Sequence, residues 1–125
     1  MGGVRVNLFF NKNGGAVTFA LNLGQATGNL NIADSVTVTL TAFAFSAWHH
    51  LAVVRNGAHY YAYFDGVKTH DISNGNASFI PVNLVIIPAQ YNGYNLFGWI
   101  DEFKYSSTCE YPGGITFTPP TAAFV

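Results

Sequence analysis

The sequence predicts an all-β protein, an antiparallel sandwich or barrel, and three observations predict it. Apolar residues recur with period two along most of the chain. Turn pairs containing glycine fall at short intervals. No window carries the sustained i, i+3, i+4, i+7 spacing of an amphipathic helix. Composition agrees, with 16% aromatic residues and 13 Gly, a mixture that favours strands and tight turns. At 125 residues the chain is one domain, long enough to bury about two thirds of its unfolded surface without disulfide staples.

Taken in order, Val4, Val6, Leu8 and Phe10 make a first strand over 4–10. Val17, Phe19, Leu21 and Leu23 alternate with Thr18, Ala20 and Asn22 over 16–23. Val36, Val38 and Leu40 alternate with Thr37, Thr39 and Thr41 over 35–43, β-branched on both faces. Further strands are expected over 48–55, 59–65, 67–72, 82–87 and 97–105, with a weak candidate at 28–32. Asn13-Gly14-Gly15, Asn56-Gly57, Asp65-Gly66, Asn74-Gly75, Asn92-Gly93 and Gly113-Gly114 supply residues that tolerate the positive φ of hairpin turns. From Pro112 the character changes. Ile115-Thr116-Phe117-Thr118-Pro119-Pro120 reads as an extended segment, because paired prolines cannot donate to a central ladder. Residues 1–111 are therefore read as the domain and 112–125 as a tail that packs on it or on a neighbour, with Phe117, Pro119, Pro120 and Phe124 as docking candidates.

Charge narrows the partners. Only 9% of residues are charged, against about 25% in an ordinary domain. They nearly cancel to −1, which leaves no basic footprint for nucleic acid. So little surface charge points to an assembly rather than a free monomer. No apolar run approaches the roughly 18 residues of a membrane-spanning helix, and the first residues lack the charged and apolar regions of a signal peptide, so neither a membrane nor a leader is expected. Asn76-Ala77-Ser78 fits a glycosylation sequon but carries little weight without a leader. The single Cys109 excludes an internal disulfide and a four-cysteine zinc site.

The middle of the chain runs Trp48-His49-His50-Leu51-Ala52-Val53-Val54-Arg55-Asn56-Gly57, then Tyr63-Phe64-Asp65-Gly66, and later Phe97-Gly98-Trp99-Ile100-Asp101-Glu102-Phe103. This resembles the laminin-G-like, concanavalin A-like jelly-roll superfamily: a strand containing Trp-His, a hairpin ending in Asp-Gly, and a late Gly-x-Ile-Asp-Glu strand. The ending, Ile100 to Lys104, then Tyr111, then Phe117-Thr118-Pro119-Pro120-Thr121-Ala122, is similar to the version found in bacteriophage tail, fibre and head-decoration proteins. The resemblance implies a two-sheet jelly roll. Family members carry more strands before the Trp-His strand than precede Trp48 here. Either the opening strands are shortened or a neighbour covers an exposed sheet edge.

The same jelly roll serves many glycoside hydrolases, which need two carboxylates across the scissile bond. Glu102 and Glu110 are the only glutamates beside four Asp, and Asp101 and Glu102 on one strand point to opposite faces. The Glu-x-Asp-x-x-Glu strand of such hydrolases is absent, so no enzyme and no catalytic residue are expected. Neither a metal nor another cofactor is expected: His49 and His50 face opposite sides of a strand, and no Asp/Asn loop supplies the six to eight oxygens of calcium. Asp65 is expected to close its turn by bonding local backbone, and Asp101 and Glu102 to bond amides near the Trp48 strand.

The hairpin 59–72 is the most informative stretch. With Asp65-Gly66 as a two-residue turn, Phe64 pairs with Val67, Tyr63 with Lys68 and Tyr61 with His70. One face then carries Ala62, Phe64 and Val67; the other carries His59, Tyr61, Tyr63, Lys68 and His70. That second face is open to three readings: the lining of a concave sheet covered by loops, a stacking platform for a sugar ring, or a protein interface. The loop Tyr91-Asn92-Gly93-Tyr94-Asn95 invites the same readings through Tyr91, Asn92, Tyr94 and Asn95. The expected role is a non-enzymatic virion component, head decoration or tail or fibre part, whose partners are other virion proteins or copies of itself. The alternative is a carbohydrate-binding module, secreted or on a cell surface.

Overall fold

A computed structural model describes residues 4–13, 16–25, 33–41, 43–73 and 98–122. Among these there is no helix; six strands form two antiparallel sheets. The first sheet joins β1 (Val4–Asn13), β2 (Ala16–Gln25) and β3 (Ala33–Leu40) in the order β1-β2-β3. The second joins β4 (Leu51–Asn56), β5 (His59–Phe64) and β6 (Val67–Ser73) in the order β4-β5-β6. Each strand lies within a few residues of its sequence-predicted place. The expected strand at 82–87, the candidate at 28–32 and the sequon fall outside the described residues.

Turn chemistry sets both hairpins of the second sheet. Asp65 and Gly66 take φ of 50° and 77°, the double positive pattern of a type I′ turn, and Phe64 pairs with Val67 across it. Gly57, at φ 59°, opens the two-residue loop between Asn56 and His59.

The two sheets face each other across an aromatic core, as in a concanavalin A-like jelly-roll sandwich. Phe10 and Phe19 are cross-strand partners whose rings stack at 5.0 Å. Phe64 closes on both, with centroids 6.1 and 6.4 Å away. Tyr60, Ala62 and Ile72 complete the buried cluster, with Leu40, Phe43 and Val53 packed against it. Strict alternation in β5 sends Tyr60, Ala62 and Phe64 inward and leaves His59, Tyr61 and Tyr63 on the outer face.

One predicted strand is not formed. Residues 98–105 are irregular, because Glu102 takes φ 55° and breaks the pleat while Asp101 Oδ1 accepts a hydrogen bond from the Glu102 amide at 2.9 Å. Asp101 therefore serves its own neighbour and not the Trp48 segment. That segment is tied down by Asp65 instead.

Candidate functional site

The candidate site is the outer face of the second sheet, and a bulge decides who stands on it. Phe64↔Val67 and Tyr63↔Lys68 pair as the sequence predicts. The register then shifts, leaving Thr69 without a partner and setting Ala62 opposite His70 and Tyr61 opposite Asp71. Thr69 Oγ1 donates to the Ala62 carbonyl at 3.0 Å and accepts from His70 Nδ1 at 2.8 Å, which fixes the proton on that nitrogen. The expected place of His70 on the outer row is therefore corrected. It points into the core, 2% exposed, with Phe19 edge-on at 5.2 Å. Val67 shares the inward face with Phe64 but stays 53% exposed at the sheet edge.

Asp71 takes the position expected of His70. Its carboxylate accepts from Lys68 Nζ at 2.8 Å and meets His59 Nδ1 at 3.1 Å. The Lys68 and His59 hydrogen bonds hold the Asp71 carboxyl below its ordinary range. Tyr61 lies between these groups, with the His59 ring stacked at 5.7 Å and Lys68 Nζ 5.3 Å from its centroid.

The rest of the row is not open. Residues 111–119 cross this face as a strap. The Tyr111 and Phe117 rings stack at 3.6 Å, and Tyr63 meets them edge-on at 5.9 and 5.1 Å. The Phe117 amide donates to the Gly66 carbonyl at 3.0 Å, and Asn56 Nδ2 donates to the Pro112 carbonyl at 2.6 Å. Gly114, at φ 61°, lies against the Tyr61 ring, where a Cβ would sit 3.0 Å from two ring carbons. Tyr63 is fully buried, and that burial, reinforced by Tyr61, Cys109 and Asp71, raises its phenol pKa. Of the tail candidates, Phe117 docks on Tyr63 and Pro119 approaches Gly66, while Pro120 is exposed. Phe124, and the loop candidates Tyr91, Asn92, Tyr94 and Asn95, lie outside the described residues. Sequence reasoning missed Tyr111, Gly66, Gly114 and Asn56 as strap contacts. The glycines were legible only as turn formers, not as places of close backbone approach.

Beside the strap, Asp65 ties the hairpin tip to the segment that enters β4. Its Oδ1 accepts from the His50 amide at 2.8 Å, its Oδ2 from His49 Nδ1 at 2.8 Å, and its own amide donates to the His50 carbonyl at 2.9 Å. His49 Nε2 also donates to the Ala44 carbonyl at 2.8 Å. Both acceptors only accept, so the geometry suits an imidazolium. Burial works against that charge, but the Ala44 and Asp65 bonds outweigh it and raise the His49 pKa. Next door, burial lowers the His50 pKa against the pull of Asp65, and His50 Nδ1 is buried without a partner.

These opposite shifts give opposite pH dependences. His49, raised, contributes stability that is full below its unfolded pKa and lost as pH rises through its folded value. His50, lowered, contributes stability present above its unfolded pKa and lost as pH falls through its folded value. The stability difference between wild type and His49→Gln, measured by urea unfolding, is expected to shrink from about pH 5 to pH 8, the span in which histidine changes charge. Asp65→Asn, which keeps the turn but removes the charge, should show the same trend. A difference independent of pH would rule out the ion pair as its source.

Among the described residues, no group of three or more His, Cys, Asp or Glu side chains converges as a metal site. The model of the family described as the Concanavalin A-like lectin/glucanases superfamily matches residues 2–109, ending before the strap begins at Tyr111. No curated protein and no solved structure matches the chain.

Proposed function

The chain belongs to the concanavalin A-like lectin/glucanase superfamily, and from that premise we propose that it is a non-catalytic structural subunit of a bacteriophage virion, in head decoration, tail or fibre, acting through protein contacts. One observation carries the contact role. Large apolar side chains that an isolated domain would cover stand in solvent: Trp99 is 86% exposed and Trp48 69%, with Ile100, Phe103 and Tyr105 more than half exposed. Aromatic side chains are enriched where proteins meet, and these stand uncovered. The low charge of the chain supports the same reading, and the phage-like ending from Ile100 to Ala122 supports the virion as its setting.

Superfamily membership favours a second reading, a carbohydrate-binding module. Stacking a sugar needs an open ring face, and Tyr61 and Tyr63 are covered by the strap. His59 and the Lys68–Asp71 pair remain accessible at the end of the row.

Light scattering after size exclusion tests the proposal. A defined oligomer is expected, and mass spectrometry of purified particles should find the chain in the virion. A clean monomer that binds on a glycan array would overturn the structural role in favour of the second reading.

A further inference from the structure

We propose that the groove filled by residues 111–119 is a receptor for the same segment of a second copy, so that straps cross between chains in the assembly. The inference rests on the assembly reading above and names the partner of that assembly.

Three observations support it. First, the strap is held by contacts with the second sheet, its turn and the residue that enters it: Tyr111 and Phe117 on Tyr63, Phe117 on His50 at 5.6 Å, Gly114 on Tyr61, and main-chain or amide bonds to Gly66 and Asn56. A strap arriving from another chain would make all of them unchanged. Second, the lead-in, residues 98–110, has no regular structure and is paired into neither sheet, and it bonds within itself at Glu102–Asp101, Thr108–Ser106 and Lys104–Glu110. Such a segment reaches a neighbour by changing its path without breaking a sheet. Third, that lead-in carries Trp99, Ile100, Phe103 and Tyr105 in solvent, and a crossing pair of lead-ins would lay these side chains against each other.

The occupant is specified by the groove itself. An extended segment with two stacked rings, a glycine between them and a following proline fits it, and every copy of the chain supplies that segment. Exchange conserves the contacts and adds the lead-in surface, so concentration decides between the closed monomer and the crossed pair.

Complementation between two altered chains tests this. A Gly66→Val chain keeps its strap but blocks its groove, since any side chain there collides with the Phe117 main chain. A chain truncated before Tyr111 keeps its groove and lacks the strap. Mixed, they are expected to form a one-to-one heterodimer by light scattering, which neither forms alone. No heterodimer from two folded chains overturns the exchange.

If the truncated chain does not fold, full-length chains replace it. Asn56→Cys and Pro112→Cys are placed in separate Cys109→Ser chains, at positions that meet in the strap contact. Treatment with a short thiol–thiol linker should yield a cross-linked heterodimer. Oligomers without the cross-link would sink the strap exchange and leave the assembly role standing. Monomers throughout would sink both.

Discussion

Phe19→Ala is expected to destabilise the protein by about 3–5 kcal/mol, the usual cost of removing a buried aromatic ring. Phe19 is fully buried and is the point at which the two sheets meet. Its ring stacks on Phe10 of β1, packs against Phe64 of β5 and stands nearly perpendicular to His70 of β6. Truncation opens a cavity whose walls come from both sheets. It also strips the apolar cover from a buried imidazole. Set against a total stability of roughly 5–15 kcal/mol, that loss is a large share. Urea unfolding should show a lower midpoint at unchanged slope. Phe10→Ala, at a ring 38% exposed, should cost clearly less. Equal losses at the two positions would show that the sandwich does not depend on the central ring.

The second large effect is at Gly66. Gly57 and Gly66 both hold positive φ in two-residue turns of the same sheet, at 59° and 77°. Alanine at either position pays the left-handed penalty of about 1–2 kcal/mol. Their surroundings differ. A Cβ on Gly57 meets nothing within 4 Å, whereas one on Gly66 collides with the Phe117 carbonyl and Pro119. Gly66→Ala is expected to cost about 1–3 kcal/mol more than Gly57→Ala, the ordinary scale of overpacking. It should also expose the strap to proteolysis. In a chain truncated before Tyr111 the extra cost should vanish, leaving the two substitutions equivalent, and this double-mutant cycle isolates the strap contact. A Gly66 penalty that survives truncation would falsify the clash as its origin.

How much of this was legible depends on the range of the force involved. Period-two patterning placed β1 to β6 because burial of one face is written locally in each strand. Asp65-Gly66 announced its turn because positive φ is a property of those two residues. The bulge at Thr69 was not legible: it is set by a hydroxyl that bonds a carbonyl on the neighbouring strand and an adjacent imidazole. One displaced residue was enough to send His70 inward and Asp71 outward. The irregular 98–105 segment misled for a related reason. Trp99, Ile100 and Phe103 look like strand residues, but Glu102 departs from extended geometry and those side chains stay in solvent. Phe117 was legible as an anchor from its bulk beside Pro119 and Pro120; its seat on Tyr63 was not, because that contact joins distant parts of the chain.

The position of the strap in the sequence also sets a timetable. Tyr111 and Pro112 bond residues 48 and 56 places earlier. At synthesis rates of roughly 5–20 residues per second, the hairpin of β5 and β6 leaves the ribosome a few seconds before its cover exists. During that interval the rings of Tyr61 and Tyr63 lack their own cover, and the strap exchange proposed above would find the groove open to a finished neighbour. Closure in cis comes last and adds no contact that the hairpin needs in order to form. Weakening the strap should therefore hasten unfolding more than it slows folding.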